Sequence, residues 1–121
     1  MHQRYRVLIA DDDPGIQDAL RIIFEQAGYE ADIHPDGQNL ISNNFTLPDI
    51  FILDKQLSGI DGLDICRFLK SQSRSSQIPI IILSASTQLE KMVKEAGADD
   101  WLEKPFFMND LLSTVHRHII K

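Results

Sequence analysis

Two rhythms of apolar residues alternate along this chain. Tyr5 to Ala10 is a short apolar run that stops at three aspartates, the pattern of a buried strand ending at a polar rim. Asp49 to Asp54 and Ile78 to Leu83 repeat that pattern, the latter dominated by β-branched isoleucine with Pro79 near its start, where a missing N–H is tolerated. Tyr29 to His34 and Asp100 to Glu103 read as two further strands. Between them the apolar positions fall three and four apart, the stripe of an amphipathic helix. Ile16, Ala19, Leu20, Ile23, Phe24 and Ala27 form the first such stripe, with Gly28 suited to the position just past its end. A short helix carrying Leu40 and Ile41 follows Asp36-Gly37, and Pro48 restarts the chain. Leu63, Cys66, Phe68 and Leu69 mark a third helix after the turn-rich Ser58 to Gly62, and Ser71 to Gln77 is a polar link. Leu89, Met92, Val93 and Ala96, closed by Gly97, mark a fourth; Met108, Leu111, Leu112, Val115 and Ile119 mark the last.

Five strand–helix pairs with short connections predict a parallel sheet covered by helices on both faces, joined by right-handed crossovers. Five pairs are too few to close an eight-stranded barrel, so the expected class is α/β with an open, doubly wound sheet. With 121 residues and neither internal repeat nor linker, residues 1–121 are expected to form a single domain with one set of packed layers.

Composition narrows the partners. The formal net charge of −6 repels a polyanion, which disfavours direct nucleic-acid binding. The apolar runs are too short to span a bilayer and no basic-then-apolar leader precedes the first, so a cytoplasmic location without membrane contact is expected. The one cysteine, Cys66, leaves no internal disulfide or thiolate cluster, and among Leu63, Phe68 and Leu69 it reads as a small buried hydrophobe. His2, His34, His116 and His118 lack metal-ligand spacing and are expected at solvated surface positions.

In an open α/β sheet the binding crevice lies beyond the carboxyl ends of the strands. Asp11 and Asp12 end the first strand, Asp54 the third, Ser84 the fourth and Lys104 the fifth, so parallel strands would deliver all five to one rim. Three carboxylates there repel, by about 4 kcal/mol per pair at about 4 Å and an effective dielectric near 20. A hard divalent cation offsets that repulsion, and Mg²⁺ needs only one or two carboxylates, keeping other positions for water or phosphate oxygens. An aspartate after a strand is often just a helix cap, and Asp13 before Pro14 is read that way. Capping explains neither Asp11 and Asp12 nor the Asp54 that ends the expected neighbouring strand.

The ordered set I-A-D-D-D-P at 9–14, P-D-I-F-I-L-D at 48–54, S-G-I-D-G at 58–62, I-I-I-L-S-A at 80–85, G-A-D-D-W at 97–101 and K-P-F at 104–106 resembles the receiver domain of two-component response regulators over essentially the whole chain. The resemblance implies a flavodoxin-like (βα)5 fold with strand order 2-1-3-4-5. It implies that Asp54 is the phosphoacceptor, attacking phosphorus on a phosphohistidine to form an acyl phosphate. It implies a Mg²⁺ site, with Mn²⁺ as a substitute, held by Asp12 directly, by Asp11 through water, by Asp54 and by the Gln56 backbone carbonyl. Lys104 would pair with the phosphoryl oxygens, with Pro105 behind a cis peptide bond. Ser84 would hydrogen-bond the phosphoryl group, and Ser84 with Trp101 would form the switch.

The same resemblance implies a histidine kinase or phosphotransfer protein as donor and an output domain or effector protein as recipient. The face of the fourth helix, fifth strand and last helix would signal and support homodimerisation on phosphorylation, with Lys91, Lys94, Trp101 and Arg117 as contacts. Two positions depart from the family pattern: Trp101 is bulkier than the expected tyrosine or phenylalanine, and Ser58 replaces the usual proline, which predicts a looser loop after Asp54. Lys55, Gln56 and Ser86 flank the site and are expected to tune hydrolysis of the acyl phosphate.

Two other classes compete. A haloacid-dehalogenase-type phosphatase also uses a strand-terminal aspartate and Mg²⁺, but needs an acid two positions on, where this chain has Gln56. The favoured reading is therefore a signalling phosphoacceptor that catalyses only its own phosphorylation and dephosphorylation. A degenerate receiver acting only through partner contacts is the alternative binding module. A nucleotide carrier is disfavoured because aspartates, not a glycine-rich loop, follow the first strand.

Overall fold

A computed structural model describes residues 4–86 and 89–119. The expected place of His2 lies outside them. Five strands, β1 (Arg6–Ala10), β2 (Glu30–His34), β3 (Ile50–Asp54), β4 (Ile80–Ser84) and β5 (Asp100–Glu103), form one sheet in the spatial order β2-β1-β3-β4-β5, every pair parallel. Helices α1 (Pro14–Gln26), α2 (Gln38–Ile41), α3 (Gly62–Ser71), α4 (Leu89–Ala96) and α5 (Met108–Ile119) alternate with them. The fold is thus the flavodoxin-like doubly wound sheet with the order anticipated from the sequence.

Alternation along the strands explains why both sheet faces are covered. Val7, Ile9, Ile50, Ile52, Ile81 and Leu83 point to one side and bury against Leu20 and Phe24 of α1 and Leu111 and Val115 of α5. Leu8, Ala10, Phe51, Leu53, Ile80 and Ile82 point to the other, against Leu40, Leu63, Ile65, Cys66, Leu69, Val93 and Ala96. Each Leu or Ile fully withdrawn from water here stabilises the fold by about 1.5–3 kcal/mol. All five residues of β3 are buried, because β1 and β4 flank it and helices cover both faces.

Local sequence fixes the ends of α1. Asp13 accepts hydrogen bonds from Gly15 N at 2.8 Å and Ile16 N at 3.3 Å, with Pro14 inside the first turn, so its capping role holds. At the other end Gly28 takes a φ of +93°, which lets Gly28 N reach Glu25 O and Tyr29 N reach Phe24 O. This is the paired closure that a left-handed residue permits, and the Phe24 and Tyr29 rings meet edge to face at 5.7 Å to seal it.

Three expectations need correction. His34 is buried, not solvated: it ends β2, with Nε2 3.3 Å from Asp32 and Nδ1 3.4 Å from Asn39 of α2. His118 is half-buried, because its Nε2 lies 3.0 Å from Asp100 Oδ2. Met92, placed on the apolar stripe of α4, is 38% exposed, whereas Val93 and Ala96 of that helix are buried.

Candidate functional site

Parallel strands carry their carboxyl ends to one edge, and there the sequence-predicted residues meet. Ligand oxygens of Asp11, Asp12 and Asp54 all lie within 4.8 Å of one another. Asp54 ends β3 opposite Leu83 of β4, and Asp11 follows the last residue of β1, its N–H donating to His34 O at 3.1 Å. Lys104 follows β5, its N–H donating to Ser84 O at 2.7 Å, and precedes a cis bond to Pro105. The Lys104 ammonium lies 3.2 Å from Asp54 Oδ2 and 3.6 Å from Asp11 Oδ2.

The cluster is graded in exposure. Asp11 and Asp54 are buried, whereas Asp12 is exposed. Asp54 Oδ1 accepts the Gln56 N–H at 3.2 Å, and Asp11 Oδ1 accepts the Asp13 N–H at 2.9 Å. Asp11 Oδ2 is withdrawn from water and, among the described residues, has no hydrogen-bond donor on it, with the Lys104 ammonium standing off at 3.6 Å. Burial therefore raises the Asp11 carboxyl pKa, the Asp13 N–H and then the Lys104 charge pull it back, and the Asp54 charge pushes it up again. An orphaned buried carboxylate oxygen beside two other acids, all oxygen donors, suits a hard divalent cation.

Ser84 completes the rim. It is buried at the end of β4, its Oγ accepts the Ser86 N–H at 3.1 Å, and it lines a cleft of about 410 Å³ with Asp12, Asp13, Asp54, Gln56 and Lys104. Trp101 does not line it. On β5 that residue pairs with Ile82 and packs, half-buried, against the α3–α4 side of the core.

Several site features escaped the sequence reading. Ser58 Oγ donates to Asp12 Oδ2 at 2.9 Å. Lys55 Nζ pairs with Asp61 at 3.2 Å, and Asp61 Oδ1 accepts the Leu63 N–H to cap α3. Gln17 Nε2 donates to Asp11 O at 2.6 Å, tying α1 to the rim. Gly62 has to lack a side chain, for a Cβ there would stand 2.2 Å from the Asp54 carbonyl oxygen.

A profile of the response regulator receiver domain matches residues 7–116. This chain belongs to that family. Among curated relatives, the DNA-binding dual master transcriptional regulator RpaA of Synechocystis sp. is 37% identical over 113 residues, which is 91% of this chain and 47% of RpaA. The chain spans about half the length of the curated relatives it matches. Among solved structures, the chemotaxis response regulator CheY4 of Vibrio cholerae superposes with a TM-score of 0.88 at 28% identity, covering 96% of this receiver domain and 99% of that chain. Response regulator TrrA of Thermotoga maritima, in a complex with Mg²⁺-BeF, superposes with a TM-score of 0.83 at 27% identity over 94% of this chain and 98% of its own. Among the described residues of this receiver domain no helix is long and apolar enough to cross a membrane.

Proposed function

We propose that this receiver domain takes a phosphoryl group onto Asp54 from a phosphohistidine of a histidine kinase or phosphotransfer protein, in a Mg²⁺-dependent step. One observation carries the reading: three carboxylates within 4.8 Å share their rim with an ammonium 3.2 Å from Asp54. A carboxylate oxygen of Asp54 forms the bond to phosphorus as the P–N bond breaks, and the imidazole leaves with that bond's electron pair.

Asp11, Asp12, Asp54 and the Gln56 carbonyl are the oxygen donors that would hold the Mg²⁺. Bound there, the ion supplies the positive charge that offsets the carboxylates and the incoming phosphoryl oxygens. Lys104 adds a fixed second charge, already aimed at Asp54, where negative charge develops on the transferring group. The Ser84 hydroxyl accepts a backbone N–H, so its own proton serves a phosphoryl oxygen across the cleft. Gln56 offers no acid for turnover of external phosphate esters, so the acyl phosphate is a signal held on the chain.

Drawing Ser84 toward the phosphoryl group pulls the segment after β4 inward, and Trp101 on the neighbouring strand answers by changing its packing against the core. The signal leaves through the surface of α4, β5 and α5, either to a partner effector or to an output domain. The DNA-binding function in the name of RpaA, about twice as long as this chain, illustrates the second arrangement. Intact-mass measurement after acetyl phosphate treatment tests the proposal. One phosphoryl group per chain is expected with Mg²⁺, and none in chelator or in Asp54→Asn. Undiminished labelling in chelator, or a label on histidine, overturns it.

A further inference from the structure

We infer that Ser58 is a positioning residue for the cation: its hydroxyl orients the Asp12 carboxylate, a role resting on the Mg²⁺ site proposed above. Asp12 is the one exposed member of the acidic trio, and nothing on β1 fixes its side chain as burial fixes Asp11. An exposed carboxylate samples several rotamers, and ordering it on a metal costs entropy unless something has ordered it beforehand. Ser58 Oγ donates to Asp12 Oδ2 at 2.9 Å from a position 46 residues away in the chain.

That donor is held on a built support. Residues 56–57 and 60–61 pair as an antiparallel ribbon, and Ser58 and Gly59 form its turn, with Gly59 at a φ of +77° that a glycine adopts freely. Leu57 is buried and anchors one side of the ribbon. At its base Lys55 pairs with Asp61 at 3.2 Å, Gly62 N donates to Lys55 O at 2.7 Å, and the missing Cβ of Gly62 lets the backbone close against Asp54. The ribbon therefore presents two groups to the site at once, the Gln56 backbone and the Ser58 hydroxyl. A proline at position 58 would have no donor for Asp12. Hydrogen-bonded ligands bind metal more tightly than free ones because their orientation is settled before the ion arrives.

Mn²⁺ binding, followed by the paramagnetic resonance of the free ion with Mg²⁺ as competitor, tests this on the full chain. Ser58→Ala and Ser58→Pro are expected to weaken cation binding roughly tenfold, in line with the loss of a hydrogen bond to a ligating carboxylate. Ser58→Thr, which keeps the hydroxyl, is expected to bind as the native chain does. Equal affinity in the native chain and Ser58→Ala overturns the inference alone. Failure of the native chain to bind either ion overturns the Mg²⁺ site and the inference with it.

Discussion

The Lys104 ammonium stands 3.2 Å from Asp54 Oδ2, although fifty residues separate the two in the chain. Lys104 also faces Asp11 at 3.6 Å, so a single cation serves two buried acids. Replacing it by methionine keeps the stem and removes the charge. Lys104→Met is expected to slow acetyl phosphate labelling by about a hundredfold, the scale of losing one preorganised electrostatic contact. Labelling at the native rate would show that Lys104 serves only the folded state.

Cation binding should be visible in stability. The three clustered carboxylates oppose one another in the ion-free protein, and an ion that binds only the folded chain stabilises it by mass action. At a Mg²⁺ concentration about a hundred times the dissociation constant the gain is about 2.7 kcal/mol, an upward shift in Tm on the order of 10 °C. Calorimetric scans in Mg²⁺ and in chelator measure it. Asp12→Asn should shrink the shift, and a full shift in that variant would remove Asp12 from the ligand set.

Gly62 supports the acceptor from behind. A methyl group there meets the Asp54 carbonyl oxygen at 2.2 Å and the Lys55 Cα at 2.9 Å, backbone atoms with nowhere to retreat. Gly62→Ala is expected to cost about 1–3 kcal/mol in urea unfolding, the range for overpacking a filled space. It should also lower the labelling rate, since the displaced backbone carries the acceptor. An unchanged unfolding midpoint would show that the loop absorbs the methyl group.

Cys66 sets a basic-side pH limit. Fully buried, and donating to Ala96 O at 3.4 Å, its thiol is pushed up from 9.0 to about 11 by burial. Between those values the folded chain keeps a proton that the unfolded chain releases, so stability is complete below pH 9 and falls as pH rises toward 11. The loss attributable to this group is about 2 kcal/mol. Urea unfolding of the native chain and Cys66→Ala at both pH values should show a steeper decline in the native chain. A parallel decline would assign the effect to other groups.

Much of this is legible in the sequence. Asp11, Asp54 and Ser84 stand where an apolar run breaks, and in a parallel sheet such breaks fall on one edge, so residues from distant segments could be gathered by topology alone. Lys104 became readable only through the K-P-F motif, since a lysine after a strand is ordinarily a solvated charge. The burial of His34 is not legible because its contact with Asn39 of α2 depends on how the chain folds back, which no local pattern reveals. The Ser58 contact is likewise hidden in the sequence: its partner Asp12 lies in another loop, and a serine beside a glycine signals only a turn. The two-residue strands of the ribbon are too short to show a period.

Asp54 is only 7% exposed at the floor of its cleft. On the function proposed above, a donor has to bring its phosphorus to a carboxylate that is almost covered. A phosphoryl group carried at the tip of a side chain, or on a molecule as small as acetyl phosphate, meets that demand more readily than one lying flush in a broad surface.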